Sequence, residues 1–257
     1  MTRIVGVTAA KRPKTSKQLG FVFYEGASVL DGAPIVVVGT LDTSNVKTGQ
    51  MVQVWILRND INPVEATKTG DDVSICGQCP HRHYNKGACY VNVGQAPNAV
   101  YKAYKAGRYA KYDSAKHEHY LQHRKIRLGA YGDPAAVPYE VMEYLANVGI
   151  GHTGYTHQAR HKNFDTRYFN ICMVSADSPQ QALKYQDKGA RTFRVAMVGD
   201  AMYDNEIECL SDSKGMQCID CGLCDGAKRQ YDNIVIGVHG SRANNFKTAT
   251  LIAVSNV

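Results

Sequence analysis

Seven of the eight cysteines fall in two short runs, and thiols so grouped are placed for metal or redox chemistry. In Cys209-x8-Cys218-x2-Cys221-x2-Cys224, three thiolates can wrap one face of a cubane while Cys209 reaches in as the fourth. A [4Fe-4S] cluster is the first expectation there, with zinc (Zn) the competitor, since four thiolates also suit a tetrahedral ion. Cys76-x2-Cys79-x9-Cys89 supplies only three thiols, with His81 and His83 between them. A cubane on three ligands keeps one iron free for a substrate or cofactor, whereas zinc there would be closed by His81 or His83. Cys172 stands alone in an apolar run and reads as a core residue.

The elements that must position these thiols follow a strand and helix alternation. Phe21–Tyr24, Pro34–Gly39 and Met51–Leu57 read as a small β lead-in separated by Asp31-Gly32 and Lys47-Thr48-Gly49 turns. A helix opening at Pro97 and stopping at Gly107 follows the first cysteine run. Then come a strand over 126–131, a helix from Pro138 to about Asn147, and strands over 150–156 and 168–174. Ser178-Pro179 is an N-cap and first-turn pair for a helix ending at Gly189, and strands over 192–198 and 233–238 close the set. The pattern predicts an α/β fold, a partial parallel βα barrel or open parallel sheet with two Cys-rich loops. The expected division is a basic lead-in and β segment over 1–70, followed by an α/β domain over 71–257, together one compact unit. Ligands in such sheets gather beyond the carboxyl ends of strands, which points to Asp133, Tyr155, His157, Ser175, Asp177, His239 and Ser241. Of these, Asp133, His157 and Asp177 are the candidate catalytic residues.

Composition narrows the partners. The 257 residues carry 30 Lys and Arg against 23 Asp and Glu, and no apolar stretch is long enough for a membrane span. No apolar segment with a small-residue cleavage site opens the chain, so a cytoplasmic location is expected. Between Tyr84 and Arg127 nine basic residues face only Asp113 and Glu118. Interleaved tyrosines there could stack bases while Lys102, Lys105, Arg108, Lys111 and Arg124 track phosphates, so nucleic acid or a nucleotide is the expected partner. His119 and His123 share one face if that segment is helical. His152, His157 and His161 suggest, more weakly, a nuclease or replication initiator.

Two resemblances add expectations. Ser74–Arg82 with Gly87–Gln95, Ser175–Pro179, Thr192–Val195 and the Cys218–Cys224 run resemble a family of bacteriophage-encoded cysteine-rich proteins, which implies a host-cytoplasmic setting more than a chemistry. The three cysteines ending in Cys89-Tyr90, the βα series with Gly132-Asp133-Pro134 and the late second run are distantly similar to the radical SAM superfamily. That similarity implies a partial parallel barrel, a [4Fe-4S] cluster on Cys76, Cys79 and Cys89 whose free iron binds S-adenosylmethionine, and an auxiliary cluster. The spacing here, C-x2-C-x9-C, departs from that superfamily's C-x3-C-x2-C. The expected function is an iron-sulfur redox enzyme or transferase acting on nucleic acid or nucleotide, with Asp133 and His157 orienting ligand. The alternatives are a zinc-stapled nucleic-acid-binding protein and a nuclease or replication initiator.

Overall fold

The computed structural model describes residues 18–197 and 199–246. Its first sheet is built around a run of β-branched residues. In β2 (Pro34–Thr40) Ile35 to Val38 are fully buried, as expected of a central strand covered on both faces. β1 (Gly20–Ala27) and β3 (Val52–Arg58) pair with it antiparallel. The two-residue β4 (Ala110–Lys111) lies parallel on the outer side of β1. On the other side β5 (Lys125–Tyr131) and β6 (Gly151–Thr153) continue the sheet parallel to β3, so the lead-in strands and the first parallel strands form one six-stranded sheet. Helices α1 (Pro63–Thr69), α2 (Val73–Cys76) and α3 (Ala96–Lys105) pack on β3, while α5 (Tyr139–Val148) packs on β5 and β6. The intervening α4 (Ser114–His117) is a single turn.

The second sheet is parallel throughout. Its order is β10 (Glu206–Glu208), β11 (Asn233–Gly237), β9 (Thr192–Ala196), β8 (Met173–Ala176) and β7 (Tyr155–Thr156), with α6 (Pro179–Gln186) packed on β8 and β9. Only Gly154 separates β6 from β7, so the chain crosses from one sheet to the other within a single extended segment. At the crossing, Gly154 N–H donates to the Cys224 carbonyl and its own carbonyl accepts from Met173 N–H, both at 2.9 Å. A Cβ at Gly154 would lie 2.7 Å from the Ile171 oxygen and 2.8 Å from the Cys172 sulfur, which explains the glycine. The sheets thus run on from one another without closing a barrel. The architecture is the α/β arrangement the alternation predicts.

Because successive side chains in a strand point to opposite faces, alternate residues line one surface. Arg127, Gly129 and Tyr131 of β5, Thr153 and Tyr155, Ser175, and Phe193 and Val195 of β9 all face a common cavity of about 510 Å³. It is the chamber around which both cysteine runs are placed.

The structure departs from the sequence expectations at several points. Residues 166–170 form a 3-10 turn, and the strand expected over 168–174 begins only at Met173. Asp165 starts the turn by accepting from Arg167 N–H, and the buried Tyr168 hydroxyl faces the Pro134 and Val137 carbonyls at 2.8 Å each. β10 was not anticipated, being three residues long. The segment with His119 and His123 is not one helix: α4 gives way to a 3-10 turn over Glu118–Tyr120, so the two rings do not share a helical face. The strand expected over 192–198 ends at Ala196. The basic stretch over 9–17 lies outside the described residues.

Candidate metal and ligand site

Helix α2 delivers Cys76 to the cavity, and the loop after it is fastened by one fully buried side chain. Gln158, just past the carboxyl end of β7, donates through Nε2 to the Cys76 carbonyl at 2.8 Å and to Asp133 Oδ2 at 3.1 Å. Its Oε1 accepts from Gln78 N–H at 3.0 Å. Gly77 allows this close approach, since a Cβ there would sit 2.0 Å from Gln158 Oε1 and the residue has φ +50. Asp133 is a hub: Oδ2 also accepts from His157 N–H at 2.7 Å, Oδ1 accepts from Ala135 N–H, and its own N–H donates to the Ile75 carbonyl. The Asp133 carboxyl is pushed up by burial. This expected ligand-orienting residue therefore spends its oxygens on holding the loop and the strand end together.

The three thiols of this run line the cavity. Burial pushes Cys76 well above the ordinary thiol range, and Asp72, Cys79 and Cys89 raise it further. Burial likewise pushes Cys89 up to about 11. Thiols in this state lose their protons to solvent readily only when a cation binds, because its charge stabilises the thiolate that burial disfavours. Arg82, whose guanidinium is held by Asp72 and the Gly70 carbonyl, places one fixed positive charge near Cys76 and Cys79.

Beside the thiols, Asp177 receives two histidines. Its Oδ1 lies 2.7 Å from His81 Nε2 and 3.4 Å from His157 Nε2, and all three donor atoms lie within 4.8 Å of one another. Burial alone would lower His157, but the neighbouring Cys79 sulfur and the Asp177 carboxylate hold it well above the ordinary histidine range. Asp177, which burial would raise, is held far below the ordinary carboxylate range by His157 and His81. The group can share protons or take one metal ion. His81 Nε2 thus faces a carboxylate, and His83, pulled down by burial, has its Nε2 buried without a partner.

The second run is organised from below by main-chain contacts. Cys218 and Ile219 donate to the Lys47 and Thr48 carbonyls, and Cys209 donates to the Val235 carbonyl. α7 (Leu210–Ser213) and α8 (Cys218–Cys221) are single turns joined by a loop, and Gly222 ends α8 in the left-handed region. Buried Arg191 gathers the following loop, donating to the Leu223, Gly226, Tyr231 and Asp232 carbonyls and to Asp225. His152 faces the Ala146, Ile171 and Asp225 carbonyls at 3.1 Å each, so it staples the loop and stands apart from His157 and His161. Cys224 is pushed up to about 12 by burial, with a Tyr155 hydrogen bond opposing and Cys209, Cys218 and Cys221 adding to the rise. Cys224 therefore feels the other three thiols of its run.

Among the described residues, only His81, His157 and Asp177 bring three donor atoms within 4.8 Å, so no three cysteine sulfurs approach so closely. The sulfurs of a tetrahedral zinc site, about 2.3 Å from the ion, stand about 3.8 Å apart. A cubane places each ligand sulfur on its own iron and spreads them more widely. Neither cysteine run therefore presents three sulfurs at single-ion spacing.

The basic candidates do not converge on the chamber. Lys102, Lys105, Arg108 and Lys111 are exposed; Lys105 donates to the Asn59 carbonyl, Lys111 pairs with Glu25, and Arg124 is bound to the Leu41 carbonyl. Tyr101, Tyr104, Tyr109, Tyr112 and Tyr120 pack against the core, leaving Tyr84 and Tyr90 as the more exposed rings of the series. Asp133, Tyr155, His157, Ser175 and His239 do line the cavity, whereas Ser241 does not. Gln158, Arg191 and Tyr131 escaped the sequence reading. Tyr131 was within reach of it, since Arg127, Gly129 and Tyr131 alternate on a strand already identified. No protein-family model, curated protein or solved structure matches the chain.

Proposed function

We propose that the protein is an iron-sulfur redox enzyme of radical-SAM-like organisation. Cys76, Cys79 and Cys89 hold a cluster with one open iron, Cys209, Cys218, Cys221 and Cys224 hold a second, and the chamber takes a nucleotide-sized ligand. The observation that carries this reading is that five cysteines from both runs line one cavity while no three sulfurs stand at single-ion spacing. A bound cluster of this kind supplies single electrons to a ligand beside it, S-adenosylmethionine being the candidate the open iron favours.

The chain's own residues do the rest. Gln158 and Asp133 fix the Cys76–Cys79 loop, Arg82 offsets thiolate charge, and the His81–Asp177–His157 group holds protons at the edge of the chamber. Phe193, Val195, Ile236 and Val238 give the chamber apolar walls that exclude water. A chamber of about 510 Å³ suits a small molecule better than a strand of nucleic acid.

Metal analysis with an absorption spectrum on anaerobically purified protein tests this. About four irons or more per chain with a broad band near roughly 400 nm is the expected result. Stoichiometric zinc in colourless protein overturns it in favour of a zinc-stapled nucleic-acid-binding protein. Divalent-metal-dependent nicking of DNA that survives loss of the cysteines would favour a nuclease.

A further inference from the structure

The floor of the chamber carries polar groups that the protein itself does not satisfy. Arg127, on the inward face of β5, donates through Nη2 to the Tyr90 hydroxyl at 2.6 Å, while its Nε is buried and has no acceptor. Four positions on, Tyr131 is 5 % exposed and its hydroxyl also lacks a partner. Both residues line the cavity, and Gly129 between them adds no side chain to the space. Burial acts most strongly on Arg127, and the groups that act most on it after burial are Tyr90, Tyr155 and Cys218. Asp133 is the one acidic residue on the chamber wall among the described residues, and its oxygens are already engaged by Ala135, His157 and Gln158.

A guanidinium in a largely apolar chamber is costly unless an anion meets it, and its planar fork matches the two oxygens of a carboxylate or phosphate. Four steps of strand lead from Arg127 to Tyr131, shortened by a register irregularity against β3, where Gln53 and Trp55 are their partners. A ligand that meets both groups is therefore a small organic acid and not a bare ion. We infer that the chamber binds a small acid, its phosphate or carboxylate on Arg127 and a hydrogen-bond acceptor at its far end on the Tyr131 hydroxyl. This deepens the proposed function by naming the ligand class of the same chamber, and it does not depend on which metal the cysteines take.

The competing role for Arg127 is to offset the charge of the Cys218 thiolate. Calorimetric titration of the full chain in its purified metal state separates the two, with adenosine 5′-monophosphate, benzoate and uncharged adenosine as probes. The expected result is saturable binding of at least one acid, at least tenfold tighter than adenosine, so that the phosphate and carboxylate arms also distinguish the kind of acid. Arg127→Gln should weaken that acid at least tenfold, Arg127→Lys, which keeps the charge but loses the fork, should weaken it less, and Tyr131→Phe should weaken it severalfold. Arg127→Lys also serves if the glutamine variant does not fold. The inference is overturned if neither acid binds, if adenosine binds as well as the acids, or if the Arg127 variants lose metal while acid affinity is unchanged. Metal content measured on the same samples keeps the two proposals apart: zinc-loaded protein that still binds an acid through Arg127 sinks the cluster reading alone.

Discussion

Gln158 does more for the first cysteine loop than any thiol in it. Its amide reaches the Cys76 carbonyl, the Gln78 N–H and the Asp133 carboxylate, and no water-exposed surface remains to replace those bonds. Gln158→Ala leaves buried polar groups unsatisfied, each worth about 1–3 kcal/mol. The expected outcome is a fall of that order in stability by urea denaturation, together with loss of metal from Cys76, Cys79 and Cys89. Full metal occupancy in a variant of unchanged stability would show that the loop holds itself. The cysteine runs were legible in the sequence because their spacing is local. Gln158 was not, because the groups it bonds in the loop lie some 80 positions earlier, as with the Gln78 N–H at a separation of 80.

At the scale of elements, the alternation of apolar runs with turn residues was legible because it records burial along a local period. Ser178-Pro179 illustrates this: Ser178 accepts from Gln181 N–H and Pro179 opens α6, as their types predict. What was not legible depends on partners brought by the fold. β10 holds its place through Glu206, whose carboxylate takes a two-pronged bond from Arg194 of β9 at 2.7 Å, both side chains 1 % exposed. Burial would raise the Glu206 carboxyl, but the Arg194 bond outweighs it and the pKa lies below the ordinary value. A depressed carboxyl contributes stability that is present above its unfolded pKa, about 4.3, and is lost as pH falls through the folded value. Glu206→Gln should therefore cost about 3 kcal/mol near neutrality by leaving the buried Arg194 charge without its counter-ion. It should also flatten the acid limb of stability below about pH 4.3. Denaturant titrations of both proteins at several pH values check this, and parallel acid limbs would place the lost stability in other carboxylates.

The molecule as a whole is tied at Gly154, where one extended segment leaves the first sheet and enters the second. Such a junction makes the sheets unfold together. The single tryptophan, Trp55, lies in the first sheet and donates to Thr40 Oγ1, so its fluorescence reports that sheet while far-ultraviolet circular dichroism reports both. The two signals should trace one coincident urea transition, and Gly154→Val should lower the shared midpoint by crowding Ile171 and Cys172, at a cost of about 1–3 kcal/mol or more. Transitions that part from each other would show two independent units. The seating of the second cysteine run on residues 46–48 has a further consequence, in the order of synthesis. The Gln217 side chain donates to the Val46 carbonyl across 171 positions, and Cys218 and Ile219 bond the next two carbonyls. At roughly 5–20 residues per second, a ribosome delivers those donors on the order of 10–30 s after their acceptors. From completion of the first run at Cys89 until Cys209 is made, the nascent chain holds the thiols of the first run and the lone Cys172, so the amino-terminal run would be open to an arriving metal before the carboxyl-terminal run exists.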